Sequence, residues 1–182
     1  GLNAPVVFSV PSGNFGNLSA GLMAYKMGLP IQAFIASCNE NHPVADYLRT
    51  GEYNPVASVE TISNAMDVGS PSNFIRMRLL AGEEWSQVRG IVKGYFTDDQ
   101  KTQEIMVDVY SRTGYVMCPH TAVGYDGLQQ YKAEYPGDVT GIVLSTAHYA
   151  KFLPTVESTL GVSVDVPERL SSLLQLQKKS VP

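Results

Sequence analysis

The segment PSGNFGN at positions 11–17 stands between an apolar run and an amphipathic one, and this junction constrains the fold more than any other stretch of the chain. Residues 5–10 (PVVFSV) are apolar and β-branched, the pattern of a buried strand. After the glycines, Leu18, Gly21, Leu22 and Tyr25 recur at helical spacing until Gly28-Leu-Pro30 stops them. Residues 31–37 (IQAFIAS) read as a second strand. Strand, glycine loop, helix and strand in that order make a βαβ unit of parallel-sheet type. Gly13 and Gly16 let backbone amides approach a ligand closely. The first amides of the following helix have no internal partner, and the helix dipole adds partial positive charge there. A phosphate placed at that point accepts several N–H bonds. Ser12, Asn14 and Asn17 add side-chain donors, with Phe15 between them. The loop holds no Lys or Arg, so it is neither a Walker A loop nor a dinucleotide GxGxxG turn. Taken alone, such a turn serves equally as a tight strand-to-helix connection capped by asparagines.

Further along, residues 43–50 read as a short helix ended by Gly51, and 54–59 as loop or strand. Residues 63–72 (SNAMDVGSPS) are turn-rich, and their Asn64, Asp67 and Asn73 are candidates for a strand-end site loop. Helices are expected over 71–81 and 83–92. TDDQ at 97–100 fits a capping box, with Thr97 as N-cap and Gln100 reaching back. Gly114 suits the C-terminal cap of that helix, and Pro119 the first position of the next, which runs to Tyr135. Residues 140–145 (TGIVLS) form the last clear strand, and 148–160 a helix stopped by Gly161. From Val166 the tail is amphipathic and then polar. Alternating strands and helices predict one α/β domain over residues 1–182, with a mainly parallel sheet flanked by helices.

The chain has 182 residues, 44% of them hydrophobic and 16% charged, which is the composition of a packed domain. Its net charge of -4, with Lys and Arg scattered, argues against a nucleic-acid surface. No apolar run approaches the ~20 residues that span a bilayer, and no signal peptide is visible. Cys38 and Cys118 lie far apart and in no metal-ligand spacing, so they read as inert buried thiols. A soluble cytoplasmic protein without membrane or metal partners is expected. The chain begins on a functional loop without an initiator Met, so a piece of a longer protein is expected.

Three more segments join the glycine loop: SNAMDV at 63–68 with PSNF at 71–74, PHTAVG at 119–124, and STAHYAKF at 145–152. In this order and spacing they resemble threonine synthase, specifically its longer bacterial and fungal branch, from about Val6 to about Arg169. Tyr149 stands where that family's last motif has proline. The resemblance implies a pyridoxal-phosphate enzyme of fold type II, the tryptophan-synthase-β-like architecture. It implies that Ser12, Gly13, Asn14, Phe15, Gly16 and Asn17 hold the cofactor phosphate. It implies further that Thr146 hydrogen-bonds the pyridine nitrogen, and less firmly that Asn17 also faces the substrate phosphate. The implied substrate is O-phospho-L-homoserine, converted with water to L-threonine and phosphate.

A pyridoxal-phosphate enzyme needs a lysine for its internal Schiff base. In the family that lysine lies well before the phosphate loop, where this chain has about ten residues. Lys26, Lys93, Lys101, Lys132, Lys178 and Lys179 sit in polar helical settings. Lys151 lies by the family's layout near the ring nitrogen rather than the aldehyde. No catalytic residue is therefore assigned, and the chain alone is expected to be inactive, its partner being the missing N-terminal part of the same enzyme. His120 and His148 are acid–base candidates by type, and His42 reads as surface. Two other readings stay open: a dehydratase or sulfhydrylase of the same fold, and a non-catalytic binding protein that has lost the lysine. The first normally carries a GGGG or GTGG loop, against which Asn14 and Asn17 argue.

Overall fold

A computed structural model describes residues 4–174 and residue 176. Its sheet has four parallel strands, β1 (Val6–Pro11), β2 (Ala33–Cys38), β3 (Val92–Phe96) and β4 (Thr140–Val143), in the order β3-β2-β1-β4. The opening βαβ unit is β1 (Val6–Pro11), α1 (Gly16–Lys26) and β2 (Ala33–Cys38). β1 and β2 are the central pair, in register Val7 to Ala33 through Pro11 to Ser37. β2 is buried along its whole length, as a strand covered on both faces must be.

Side-chain alternation on β2 divides the core. Phe34, Ala36 and Cys38 pack with residues of α1, α2 (Pro43–Thr50), α3 (Phe74–Ala81) and α4 (Trp85–Ile91). Ala33 and Ile35 pack with Val7, Leu128 and Tyr131 on the other face, under α6 (Pro119–Glu134). A third cluster joins α5 (Asp99–Thr113), α6 and α7 (Leu153–Leu160) through Ile105, Met106, Val109, Ala122, Phe152 and Val156. α6 lies close on the sheet because Gly127 faces Ser37, where an added Cβ would come within 2.9 Å of the serine Cβ. The Ser9 and Ser37 hydroxyls meet at 2.8 Å beneath it. Burial pushes the Cys38 thiol up to about 12, as befits an inert core thiol.

Several expectations need correction. Residues 83–92 are not one helix: α4 ends at Ile91 and Val92 opens the strand β3 (Val92–Phe96). Lys93 and Gly94 hide that edge strand from a hydrophobicity pattern. The N-cap of α5 is Asp98, whose carboxylate accepts from the Lys101 amide at 2.7 Å. Thr97 is buried instead and donates to Asp126 at 2.8 Å. A reciprocal capping box does exist, at Glu84 and Gln87 of α4. Residues 54–59, open between loop and strand in the sequence, are loop. The helix expected over 71–81 begins only at Phe74. β4 (Thr140–Val143) ends two residues before Ser145. The segment after it starts as a 3-10 turn, Tyr149–Phe152, before α7 begins. His42 is only partly exposed: it stacks on Phe96 with ring centroids 4.2 Å apart and pairs with Asp46 at 2.9 Å. Gly114 and Pro119 take the capping positions expected of them. A short α8 (Glu168–Leu174) follows, and residues 177–182, with Lys178 and Lys179, lie outside the described residues.

The Asp98 cap is testable. Asp98→Ala removes one acceptor from an otherwise unpaired amide, with an expected loss of about 0.5–2 kcal/mol. Thr97→Val tests the corrected assignment from the other side. It should cost stability through the buried Asp126 partner while leaving α5 helicity unchanged by circular dichroism.

Candidate cofactor site

One cavity of about 260 Å³ gathers most of the residues singled out in the sequence. Gly13, Asn14, Phe15, Gly16 and Asn17 line it together with Ala65, Met66, His120, Thr146, Lys151 and Phe152. β1 and α1 present the loop, the N-terminus of α6 presents His120, and the turn after β4 presents Thr146. This is the carboxyl end of the strands, where open α/β sheets bind their ligands.

Loop geometry follows from residue size. Gly13 is pressed against the 3-10 turn Asn64–Met66, and a Cβ on it would sit 2.6 Å from the Met66 Cα. Phe15 is the N-cap of α1 and takes a left-handed conformation at φ 62°, with its ring buried in the core. The first helical bond of α1 runs from the Ser19 amide to the Phe15 carbonyl. Gly16, Asn17 and Leu18 therefore offer amides that no carbonyl of their own helix reaches. Ser12 lies behind the loop: it is buried, its hydroxyl donates to the Val10 carbonyl and its amide to the Ser37 carbonyl. The Asn14 side-chain oxygen accepts from the Ser72 amide and hydroxyl, and Asn73 donates to the Asn14 carbonyl at 2.8 Å. The PSN segment at 71–73 thus clamps the loop from outside.

A buried polar network holds the 3-10 turn against Gly13. Asn39, just after β2, donates to Thr61 and Asp67 at 2.8 Å each. The Asp67 carboxylate also accepts from the Thr61 amide and hydroxyl. Asn64 and Asp67 were candidate site residues, and Asp67 acts here as a brace. Ala65 and Met66, which form the wall itself, carry no chemical signal in the sequence. Asn39 and Asn41 at a strand end were the available sign of the network, unread beside the glycine loop.

His120 and His148 separate clearly. His148 is exposed and its Nδ1 accepts from the Ala150 amide, capping the 3-10 turn. His120 is 3% exposed and both its ring nitrogens lack a hydrogen-bond partner among the described residues. Such orphaned groups cost about 1–3 kcal/mol each unless a ligand meets them. Burial, then the charge of Lys151, pushes the imidazole down to about 4, against the weaker opposing pull of Asp67. His120 is therefore neutral at physiological pH. The unfolded chain, with an ordinary value near ~6.5, takes up a proton that the folded chain refuses. The contribution of neutral His120 to stability is thus complete above about pH 6.5 and is lost as pH falls toward 4. Wild type should lose urea stability relative to His120→Gln across that window, and parallel pH profiles would contradict it.

A second cavity, of about 330 Å³, lies by α2, β3 and the end of α6. Several of its polar groups are already engaged: the Tyr95 hydroxyl donates to Glu134 and Lys93 to the Arg89 carbonyl. It contains none of the loop residues. Among the described residues there is no metal-ligating cluster, and no helix is long and apolar enough to cross a membrane.

The family model for pyridoxal-phosphate dependent enzymes matches residues 2–146, and that for the threonine synthase C-terminal region matches residues 121–181. Threonine synthase of Haemophilus influenzae is 43% identical over 171 residues, covering 94% of this chain and 39% of its own length. The crystal structure of threonine synthase from Escherichia coli superposes with a TM-score of 0.85 at 39% identity, over 96% of this chain and 40% of that one. The pyridoxal-phosphate-bound enzyme from Brucella melitensis gives 0.84 at 30% identity, over 97% and 43%. Maize serine racemase, at 17% identity and a TM-score of 0.56, shares the fold alone. This chain spans about 40% of the length of the threonine synthases it matches. It belongs to the pyridoxal-phosphate dependent enzymes of fold type II, and threonine synthases are the members it resembles at 43% identity.

Proposed function

We propose that this chain is the part of a threonine synthase that holds the phosphate and the ring nitrogen of pyridoxal phosphate. The observation that carries this reading is the single cavity lined by both the Gly13–Asn17 loop and Thr146. The residues present fit the group. A Cβ on Gly13 would strike Met66, the α1 amides lack partners of their own, and His120 carries two buried nitrogens without partners. In the proposed arrangement the amides of Gly16 and Asn17 take the phosphate, Gly13 and Phe15 shape the turn, and Asn14 fixes it to Ser72. Ser12 contributes by fastening the loop to Val10 and Ser37.

Pyridoxal phosphate, when bound, supplies an electron sink for negative charge developing on substrate carbons. Thr146 offers a neutral hydroxyl to the ring nitrogen, which orients the ring without enforcing its protonation, as an aspartate would. Among the described residues no carboxylate lines the cavity, and Lys151 is the one charged side chain there. The whole enzyme would convert O-phospho-L-homoserine and water to L-threonine and phosphate, using a lysine from the part of the enzyme beyond this chain. Its proposed compartment is the cytoplasm, in keeping with two buried free cysteines.

Product analysis on the full-length parent enzyme tests this. Equal amounts of threonine and phosphate from O-phospho-L-homoserine are expected. A keto acid from threonine or serine, with no phosphate release, would instead make it a dehydratase.

A further inference from the structure

His120 stands out among the buried side chains because the fold gives its polar atoms nothing to do. It is the second residue of α6, and its ring packs on Phe152 at 4.6 Å between centroids. Its neighbour Thr121 is hydrogen-bonded to Ser145 at 3.3 Å, and Ser145 adjoins Thr146. The start of α6 is thereby tied to the turn that presents Thr146, so His120 belongs to that end of the cavity. Lys151 belongs there too: its ammonium lies 5.6 Å from the centroid of the same Phe152 ring. The ion pairs found among the described residues do not include Lys151, so no carboxylate there is paired with its ammonium. A neutral imidazole offers one N–H donor and one lone pair.

We infer that His120 is a ligand-binding residue of this cavity, whose imidazole hydrogen-bonds a polar atom on the ring of a phosphorylated pyridine. The inference rests on the function proposed above and adds a contact that the glycine loop and Thr146 do not supply. The loop recognises the phosphate. His120 recognises the ring that the phosphate carries. The two can be separated, because inorganic phosphate has the first feature and lacks the second.

The test uses the 182-residue chain, ¹⁵N-labelled, with pyridoxine 5'-phosphate, inorganic phosphate and unphosphorylated pyridoxine as probes. Pyridoxine 5'-phosphate has no aldehyde, so no lysine chemistry intervenes. Amide spectra report the loop, and long-range ¹H–¹⁵N spectra report the imidazole nitrogens of His42, His120 and His148, assigned with His120→Gln. Pyridoxine 5'-phosphate should move the Gly16 and Asn17 amides and both His120 nitrogens, whereas inorganic phosphate should move the amides alone. His120→Leu should weaken pyridoxine 5'-phosphate about tenfold, the loss of about one hydrogen bond. It should leave inorganic phosphate unaffected, and His120→Gln should recover part of the loss. Lys151→Gln should raise the midpoint at which His120 titrates. Movement of the loop amides with His120 silent, or equal effects of His120→Leu on both probes, overturns this inference and leaves the proposed function standing. Loop amides that ignore every phosphorylated probe overturn both.

Discussion

Gly13→Ala is expected to weaken binding of pyridoxine 5'-phosphate by about tenfold or more while leaving the chain folded. The added methyl would lie 2.6 Å from the Met66 Cα and 3.1 Å from the Ala65 carbonyl oxygen. Both are backbone atoms, so no side-chain rotation relieves the clash. The 3-10 turn cannot retreat freely either, because Asn39, Thr61 and Asp67 bond it from behind. The loop must therefore move, and the amides it carries move with it. Losing about one charge-assisted hydrogen bond, worth ~1.5–3 kcal/mol, gives the expected tenfold or greater effect. Overpacking should also lower stability by about 1–3 kcal/mol. Gly137→Ala is the control: its Cβ would meet open space, and neither binding nor stability should change. Equal affinity for Gly13→Ala and wild type, by titration calorimetry, would show that the loop is not the phosphate cradle.

Adding pyridoxal phosphate and borohydride to the isolated chain should give no stoichiometric label on any one lysine, and no threonine should form from O-phospho-L-homoserine. Among the described residues Lys151 is the lysine that lines the loop cavity, and it lies at the Thr146 end with its ammonium beside Phe152. By the proposed layout that is the ring-nitrogen end, away from the aldehyde. Burial, then the charge of Arg89, pushes the Lys93 amine below the usual lysine range. It lies on β3 and lines the other cavity, so a label there would report nothing about the loop cavity. The expected effect is all or none. Peptide mapping that finds one label at Lys151, retained through dialysis before reduction, would contradict the assignment of the lysine to another part of the enzyme.

Legibility in the sequence followed the strength of local signals. The first βαβ unit is readable because residues 5–37 combine two apolar runs, a helical period and the loop glycines Gly13 and Gly16, each agreeing with the others. β3 is not, because Lys93 and Gly94 interrupt it and it is defined by pairing with β2, a long-range fact. Thr97 and Asp98 compete for the same capping role in sequence. Asp126, distant in the chain, decides between them by claiming the threonine hydroxyl. The site divided in the same way. The loop and Thr146 belong to compact motifs, and the structure brings them to one cavity. Met66 and Ala65 were missed because a wall made of backbone and an apolar side chain has no chemical signature. His120 and His148 looked alike by residue type. Only burial and hydrogen-bond partners distinguish a turn cap from an unpaired imidazole in the cavity.

The central claim is that the amides at the start of α1 hold the phosphate of a phosphorylated pyridine. Comparing the ¹⁵N–¹H spectra of this chain with pyridoxine 5'-phosphate and with pyridoxine tests it most directly. The account predicts large, saturable shifts of the Gly16, Asn17 and Leu18 amides with the phosphorylated compound and none at those amides with the unphosphorylated one. Equal shifts with both compounds, or shifts confined to the cavity lined by Arg49, Arg89 and Lys93, would contradict it.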